Sequence, residues 1–472
     1  MLINKLTSTF GDHSNLIPLF TKDVVNSTGM TAFSYDAGGK IEAKDRFIDE
    51  FGTMAIWMGG LPFFKMAFDK SIYKLAKLSP DVDVRLLKDK EQLNAAQKYA
   101  ETLKNTNVAE TLNEVVKHTK KAQGLFLGKF ATATALTLAS FFTLVKVKQH
   151  YTKKEIEKQF WAKKSAQQQF NSNFAQSPAF KAFAMNGTNA PKADKNVSFK
   201  GLGNTLSSFM FNPVKNLFIV DAGITGERLV ASRTKTEFAE NAIKEGSLLF
   251  FLYIAGSYVQ KGIEKLSEKM GKPIGLHAEV LSSSYMKDSI ESGKVNADTA
   301  KVKDLIKAVK TAKENNNTKQ LSEAKKALFE FIYSEKAQEN TVVKAAKHSG
   351  TIKTIIKGNW FDKLTGKAKN THKIDPHQFI SIGDLEAIAD DISKLTTEAK
   401  KHKDLSTFLK KCRNMKIGSV AANMGITCLF LGLIVPYSMM KYREKHQNGK
   451  KEFHVQSEIE KQLEQNFKGR IA

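Results

Sequence analysis

The residues closest to a chemical constellation are His372, Asp375 and His377, written His372-x4-His377. Two imidazoles and a carboxylate are metal-ligand types, and a closed zinc site needs four ligands at tetrahedral spacing. Pro376 prevents a regular helix through the group and, beyond the two histidines with Asp375 beside them, no further ligand is identifiable, so the pair reads as incidental. Gly201-x-Gly203 lacks the third glycine and the preceding strand of a dinucleotide fingerprint. There is no Walker sequence, no G-x-S-x-G, no H-E-x-x-H and no paired-cysteine motif. Asp and Glu are so frequent on the helical stretches that no catalytic pair stands out, and most of these charges read as solvated faces. The expectation is a non-enzyme without cofactor or metal, with no catalytic residue to name.

The two cysteines, Cys412 and Cys428, fall about 24 Å apart along one helix at about 1.5 Å per residue, too far to bridge within one chain. No disulfide framework is expected, which fits a reducing compartment or a membrane. The first 30 residues carry no continuous apolar run behind a basic start, so no signal peptide is read.

The chain has 472 residues and a net charge of +25, carried mostly by lysine. The lysines are spread among Glu and Asp at helical spacing, and the aromatics sit in apolar runs. A nucleic-acid binder would interleave them, so nucleic acid is not expected as a partner. Lysine flanking apolar spans fits an anionic bilayer surface instead, at about 1 kcal/mol per basic residue.

The element that organises the chain is Ile417 to Met440, which carries no formal charge. As a helix its roughly 24 residues cover about 36 Å, and the hydrocarbon core needs about 30 Å. It reads as a transmembrane helix between Lys416 and Lys441, with Arg443 beyond. Gly124 to Val145 is a second span, with Lys129 near enough to its end to reach the headgroups. On it Ala131, Ala135 and Ala139 share a face that would admit a neighbouring helix, as would Gly425 and Gly432 on the last span. Segments near 51–68 and 246–260 are shorter, of a length shared by short spans, re-entrant segments and buried helices; both read as membrane segments, the alternative being a core helix lying against the bilayer. After the 124–145 span, Phe160, Trp161, Lys163 and Lys164 suit a helix lying on headgroups, as do Lys441 and Arg443 after the last span.

These elements give an all-α helical integral membrane protein with a soluble helical insertion. Residues 1–170 form a first membrane half, 171–215 a linker rich in Asn, Ser and Gly, and 216–271 the start of a second half. Residues 272–404 form a soluble basic helical insertion, with Trp360 and Phe361 as buried anchors. Residues 405–472 hold the final span and a basic amphipathic tail. An internal duplication is expected from shared order. Asp36-Ala37-Gly38 and Asp221-Ala222-Gly223 each precede a short apolar segment. Lys120-Lys121 and Lys410-Lys411 each precede a long one. Glu155-Ile156-Glu157-Lys158-Gln159 returns as Glu458-Ile459-Glu460-Lys461-Gln462.

The run E-F-G-T-M-A-I-W-M-G-G-L-P at 50–62, Leu78-Ser79-Pro80-Asp81-Val82-Asp83, and S-F-K-G at 198–201 resemble uncharacterised multi-pass membrane proteins of non-photosynthetic gut relatives of cyanobacteria. The likeness covers about the first 200 residues and about the last 60. It implies a bacterial inner-membrane protein and carries no activity with it.

Three functions fit. The first is a non-enzymatic membrane scaffold or interaction protein whose 272–404 domain meets a protein partner. The second is a small-solute transporter or channel built from duplicated hairpins, although the long spans hold no Asp, Glu or His. The third is a peripheral protein bound to anionic lipid.

Overall fold

A computed structural model describes residues 2–11, 16–103, 107–171, 213–357, 369–446 and 453–471. It is mostly helical, as expected for the all-α class. The helices, in chain order, are α1 (Leu2–Gly11), α2 (Leu16–Ala55), α3 (Leu61–Phe68), α4 (Lys90–Thr102), α5 (Val108–Lys117), α6 (Thr119–Asn171), α7 (Pro213–Val230), α8 (Lys235–Leu249), α9 (Gly256–Lys269), α10 (Lys294–Glu314), α11 (Thr318–Ile332) and α12 (Thr341–His348). Strands β1 (Thr354–Lys357) and β2 (Lys369–Ile374) follow, then α13 (Ile382–Ala399), α14 (Leu405–Leu429), α15 (Val435–His446) and α16 (His454–Ile471). Shorter helical turns join them. Most of the expected linker and its S-F-K-G stretch, and Trp360 and Phe361, lie outside the described residues.

Three wide π turns interrupt the apolar segments, at Ile56–Gly60, Phe250–Ala255 and Phe430–Ile434. Two of them precede a proline, Pro62 and Pro436. Proline has no N–H to give to the preceding turn, and a π turn is one way for the ladder to accommodate that. α2 is bent at Gly39, whose φ of 73° and ψ of −160° suit only glycine. It is therefore two helices end to end.

Two compact units are present, and neither is a continuous half of the chain. The first comprises Met1–Val25, Trp57–Thr137 and Ser247–Leu431. Its main core joins residues of the region before α6 (Leu86, Leu93, Ala96, Leu112, Val115) to residues between α9 and α14 (Ile306, Leu328, Phe329, Ile392, Leu395). The expected 272–404 insertion is thus one part of a larger domain that also includes α4 and α5. Polar side chains cap several of its helices. Asp89 accepts from the Gln92 N–H, Asn317 from Gln320, Ser381 from Asp384, and Asp404 from Thr407. The domain is not purely helical, because β1 and β2 pair antiparallel.

The second unit comprises Asn26–Ile56, Leu138–Gly246 and Gly432–Ala472. It contains α2 from Asn26 onward, on both sides of the Gly39 bend, with the later part of α6, α7, most of α8, α15 and α16. Its apolar clusters are small: Met30 with Val435 and Met439, and Ile41 with Ile156, Phe453 and Val455. Gly29 lies against the backbone of Gly432, where any Cβ would overlap the Gly432 carbonyl.

α6 and the continuous α14–α15 are long and apolar enough to cross a membrane. The most apolar window of each is only 22% and 28% buried, respectively.

Candidate functional site

The second unit is held together by charge. α2 carries Glu42, Asp45, Arg46, Asp49 and Glu50 at helical spacing, and all five are buried. α8 carries buried Glu237, Glu240, Lys244 and Glu245, α7 adds Glu227 and Arg228, α6 adds Lys148, and α15 adds Arg443. Arg233, in the turn before α8, completes the set. Eight carboxylates and six cations therefore share one interior.

The contacts are mostly charge-assisted. The Arg443 guanidinium donates to both Glu42 oxygens at 2.8 and 2.7 Å, and to Glu240 at 2.7 and 2.9 Å. Arg228 binds Glu245, donates to Thr53 Oγ1 at 2.8 Å and lies 3.4 Å from Asp49. Lys244 binds Glu50 and, at 2.8 Å, Glu245. Lys148 lies 3.4 Å from Asp49, and Arg233 spans Asp45 at 3.2 Å and Glu237 at 2.7 Å. Thr152 donates to Asp45 at 2.5 Å. Such pairs stand in a dry interior only when each charge is answered, since an unanswered one costs several kcal/mol.

Two carboxyls show how unevenly the network answers. Burial pushes Glu237 up, but the Arg233 hydrogen bonds and charge outweigh it and hold the group at about 2. Burial also pushes Glu227 up. There Arg228 and Lys148 only partly offset it, Asp49 and Glu245 repel, and the group stands at about 7.

The faces of these helices are inverted relative to a water-soluble bundle. Phe47 is 52% exposed and Phe238 49%, while Arg46, Asp49, Glu240 and Lys244 beside them are buried. The reading of these charges as solvated faces is therefore corrected. The sequence signal was there: acids and bases at spacings of three and four, from Glu42 to Glu50 and from Glu237 to Glu245, just ahead of the 51–68 and 246–260 segments.

Of the residues expected to pack helices, Ala131, Ala135 and Ala139 are exposed, and the inward face of α6 is Ala133, Thr137 and Phe141. Gly425 is exposed with open space above it, whereas Gly432 sits against Gly29. Of the interfacial set, Phe160 is buried and Trp161 is partly exposed, its ring 5.9 Å from Phe467 of α16. Lys163 and Lys164 lie near Glu460 and Glu464, at 3.7 and 3.8 Å. Lys441 is exposed and pairs with Glu444. Arg443 is not interfacial: Glu42 and Glu240 draw it inside. Lys129 likewise pairs with Asp69 at 2.6 Å, so an ion pair offsets its burial where headgroup contact was expected.

His372 is exposed on β2, and His377 places Nε2 3.1 Å from the Val108 carbonyl and Nδ1 3.4 Å from Asp375. In the domain, α4 and α11 border an open cleft of about 590 Å³ lined by Lys98, Tyr99, Glu330, Tyr333 and Lys373. The two tyrosine rings are 5.1 Å apart. Compared with known proteins, the chain matches no family model, no curated protein and no solved structure.

Proposed function

We propose that the chain is an integral membrane protein of non-enzymatic type, a scaffold or interaction protein that presents the domain containing residues 272–404 to a protein partner. The observation that carries this reading is the outward orientation of the apolar windows of α6 and α14–α15. Leu127, Leu136 and Phe142 on one, and Ile426, Leu429, Leu433 and Tyr437 on the other, are exposed. A soluble core helix buries such residues, and water would make a surface of this kind an association site. The inverted faces at Phe47 and Phe238 agree with an apolar or interfacial surrounding.

Chain order supports two hairpins of the same orientation. Network residues of α2 precede the 51–68 segment, domain residues follow, and α6 returns to Lys148. Network residues of α8 precede the 246–260 segment, domain residues follow, and α14–α15 returns to Arg443. π turns at Ile56–Gly60 and Phe250–Ala255 occupy corresponding places, and Ile156 and Ile459 of the two repeated pentapeptides belong to one apolar cluster. These correspondences favour the duplication. For the domain, the open cleft bordered by Lys98, Tyr99, Glu330 and Lys373 is the concave surface a partner could enter.

Flotation with anionic liposomes at high salt tests the reading. The expected result is that the protein floats whatever the salt. Release by salt favours the peripheral reading, because screening weakens lysine contacts and leaves spans in place. The transporter reading draws on one feature, the buried ionisable network that flanks the apolar segments. Substrate-dependent uptake into proteoliposomes would decide for it.

A further inference from the structure

Within the charge network one carboxylate is unlike the others. Both oxygens of Glu227 are shut off from solvent, and among the described residues neither has a hydrogen-bond partner. The residue is 6% exposed. Every other acid of the network lies within 4.0 Å of a cationic nitrogen: Glu42 and Glu240 of Arg443, Asp45 and Glu237 of Arg233, Asp49 of Lys148 and Arg228, Glu50 and Glu245 of Lys244. Among the described residues Glu227 has no such partner at that range. Its charged neighbours are Arg228 on its own helix, Asp49 on α2, Lys148 on α6 and Glu245 on α8. The two cations among them are already engaged by Asp49 and Glu245.

A bare carboxylate in that setting is costly, and such a group neutralises rather than remain charged. The network's arithmetic points the same way. With all acids ionised, eight carboxylates face six cations and two negative charges are unanswered. A proton on Glu227 removes one of them.

We propose that Glu227 is a proton-binding site of the folded unit, and that gain and loss of this proton switch the network between one and two unanswered negative charges. The step is a simple protonation: the carboxylate takes a proton from water to give the neutral acid and returns it without redox change or co-reactant. The direction of the Glu227 shift, upward into the neutral range through burial, agrees with this. The site goes beyond the scaffold reading and does not depend on it, because it lies within one compact unit.

The test is infrared difference spectroscopy of the full chain in lipid, with and without ¹³C-glutamate, between about pH 6 and about pH 9. A protonated glutamic acid carbonyl band is expected at the lower pH. Its protonated-to-ionised ratio should fall about tenfold per pH unit above the midpoint. The band should be missing in Glu227→Gln and retained, shifted, in Glu227→Asp. Absence of any isotope-sensitive acid band in the wild-type protein at about pH 6 overturns the proposal without reliance on a variant. A band that survives in Glu227→Gln assigns the proton elsewhere and also overturns it. So does a carboxylate signal that follows sodium concentration at fixed pH, which would make the site a metal-cation site.

Discussion

Arg443 and Glu42, 401 positions apart in the chain, form a two-point guanidinium–carboxylate pair at 2.8 and 2.7 Å with both side chains buried. The same guanidinium also holds Glu240 of α8. One side chain near the end of the chain therefore ties α15 to α2 and α8. Arg443→Met should destabilise the protein by about 3–5 kcal/mol, because it strands two buried carboxylates. Adding Glu42→Gln and Glu240→Gln should recover much of that loss. Denaturant titration in detergent measures both.

Gly39 breaks α2 at a backbone conformation closed to other residues, and the network of α2 begins just after it. Gly39→Ala should cost about 1–3 kcal/mol. In contrast, Gly59→Ala has open space around its Cβ and an ordinary backbone, and should be close to neutral. Thermal unfolding of the two variants side by side checks the difference.

In the domain, burial pushes the Asp391 carboxyl up to about 6. Lys394 offsets this, while Glu264 and Asp390 add to it. Its folded value exceeds its ordinary 3.8. The associated stability is therefore complete below 3.8 and is lost as pH rises toward 6. Between these values the unfolded chain has released the proton and the folded chain keeps it, so stability falls by up to about 1.4 kcal/mol per pH unit. Asp391→Asn should remove that slope. Unfolding free energies of both proteins across pH 3.8 to 6 give the answer.

Phe142 points outward from the apolar window of α6. Phe142→Arg should penalise insertion by about 2.5–3.5 kcal/mol if the window lies at the bilayer centre. The same change at the exposed Lys154, where the charge is already positive, should do nothing. An insertion reporter fused after α6 would read the fraction of chains that enter the membrane.

The apolar segments were legible in the sequence because length and lack of charge suffice to mark them. The domain helices were legible from stripes such as Leu385, Ile388, Ile392 and Leu395, all buried. The β1–β2 pair was not, since Thr354–Lys357 is short and Lys369–Ile374 is polar, with neither showing clean alternation. Nor was the union of the domain with α4 and α5, because that packing joins residues about 200 positions apart and leaves no local pattern. The burial of the charge network differs from the solvated faces expected, for a physical reason. Charges at helical spacing mean solvent for a protein in water. Here Phe47 and Phe238 take the outer face and their charged neighbours turn inward. The spacing was visible, but the side on which it would be buried was not.

What surrounds the two long helices, lipid or water, decides between these readings. Nitroxide labels on a Cys412→Ser, Cys428→Ser background at Leu136, Phe142, Leu429 and Leu433, with Thr137 and Thr427 as buried controls, address it in reconstituted vesicles. The account predicts that the four outward sites are relaxed strongly by oxygen and weakly by a water-soluble nickel chelate, with the two controls reached by neither. Strong relaxation of the outward sites by the aqueous chelate would contradict it.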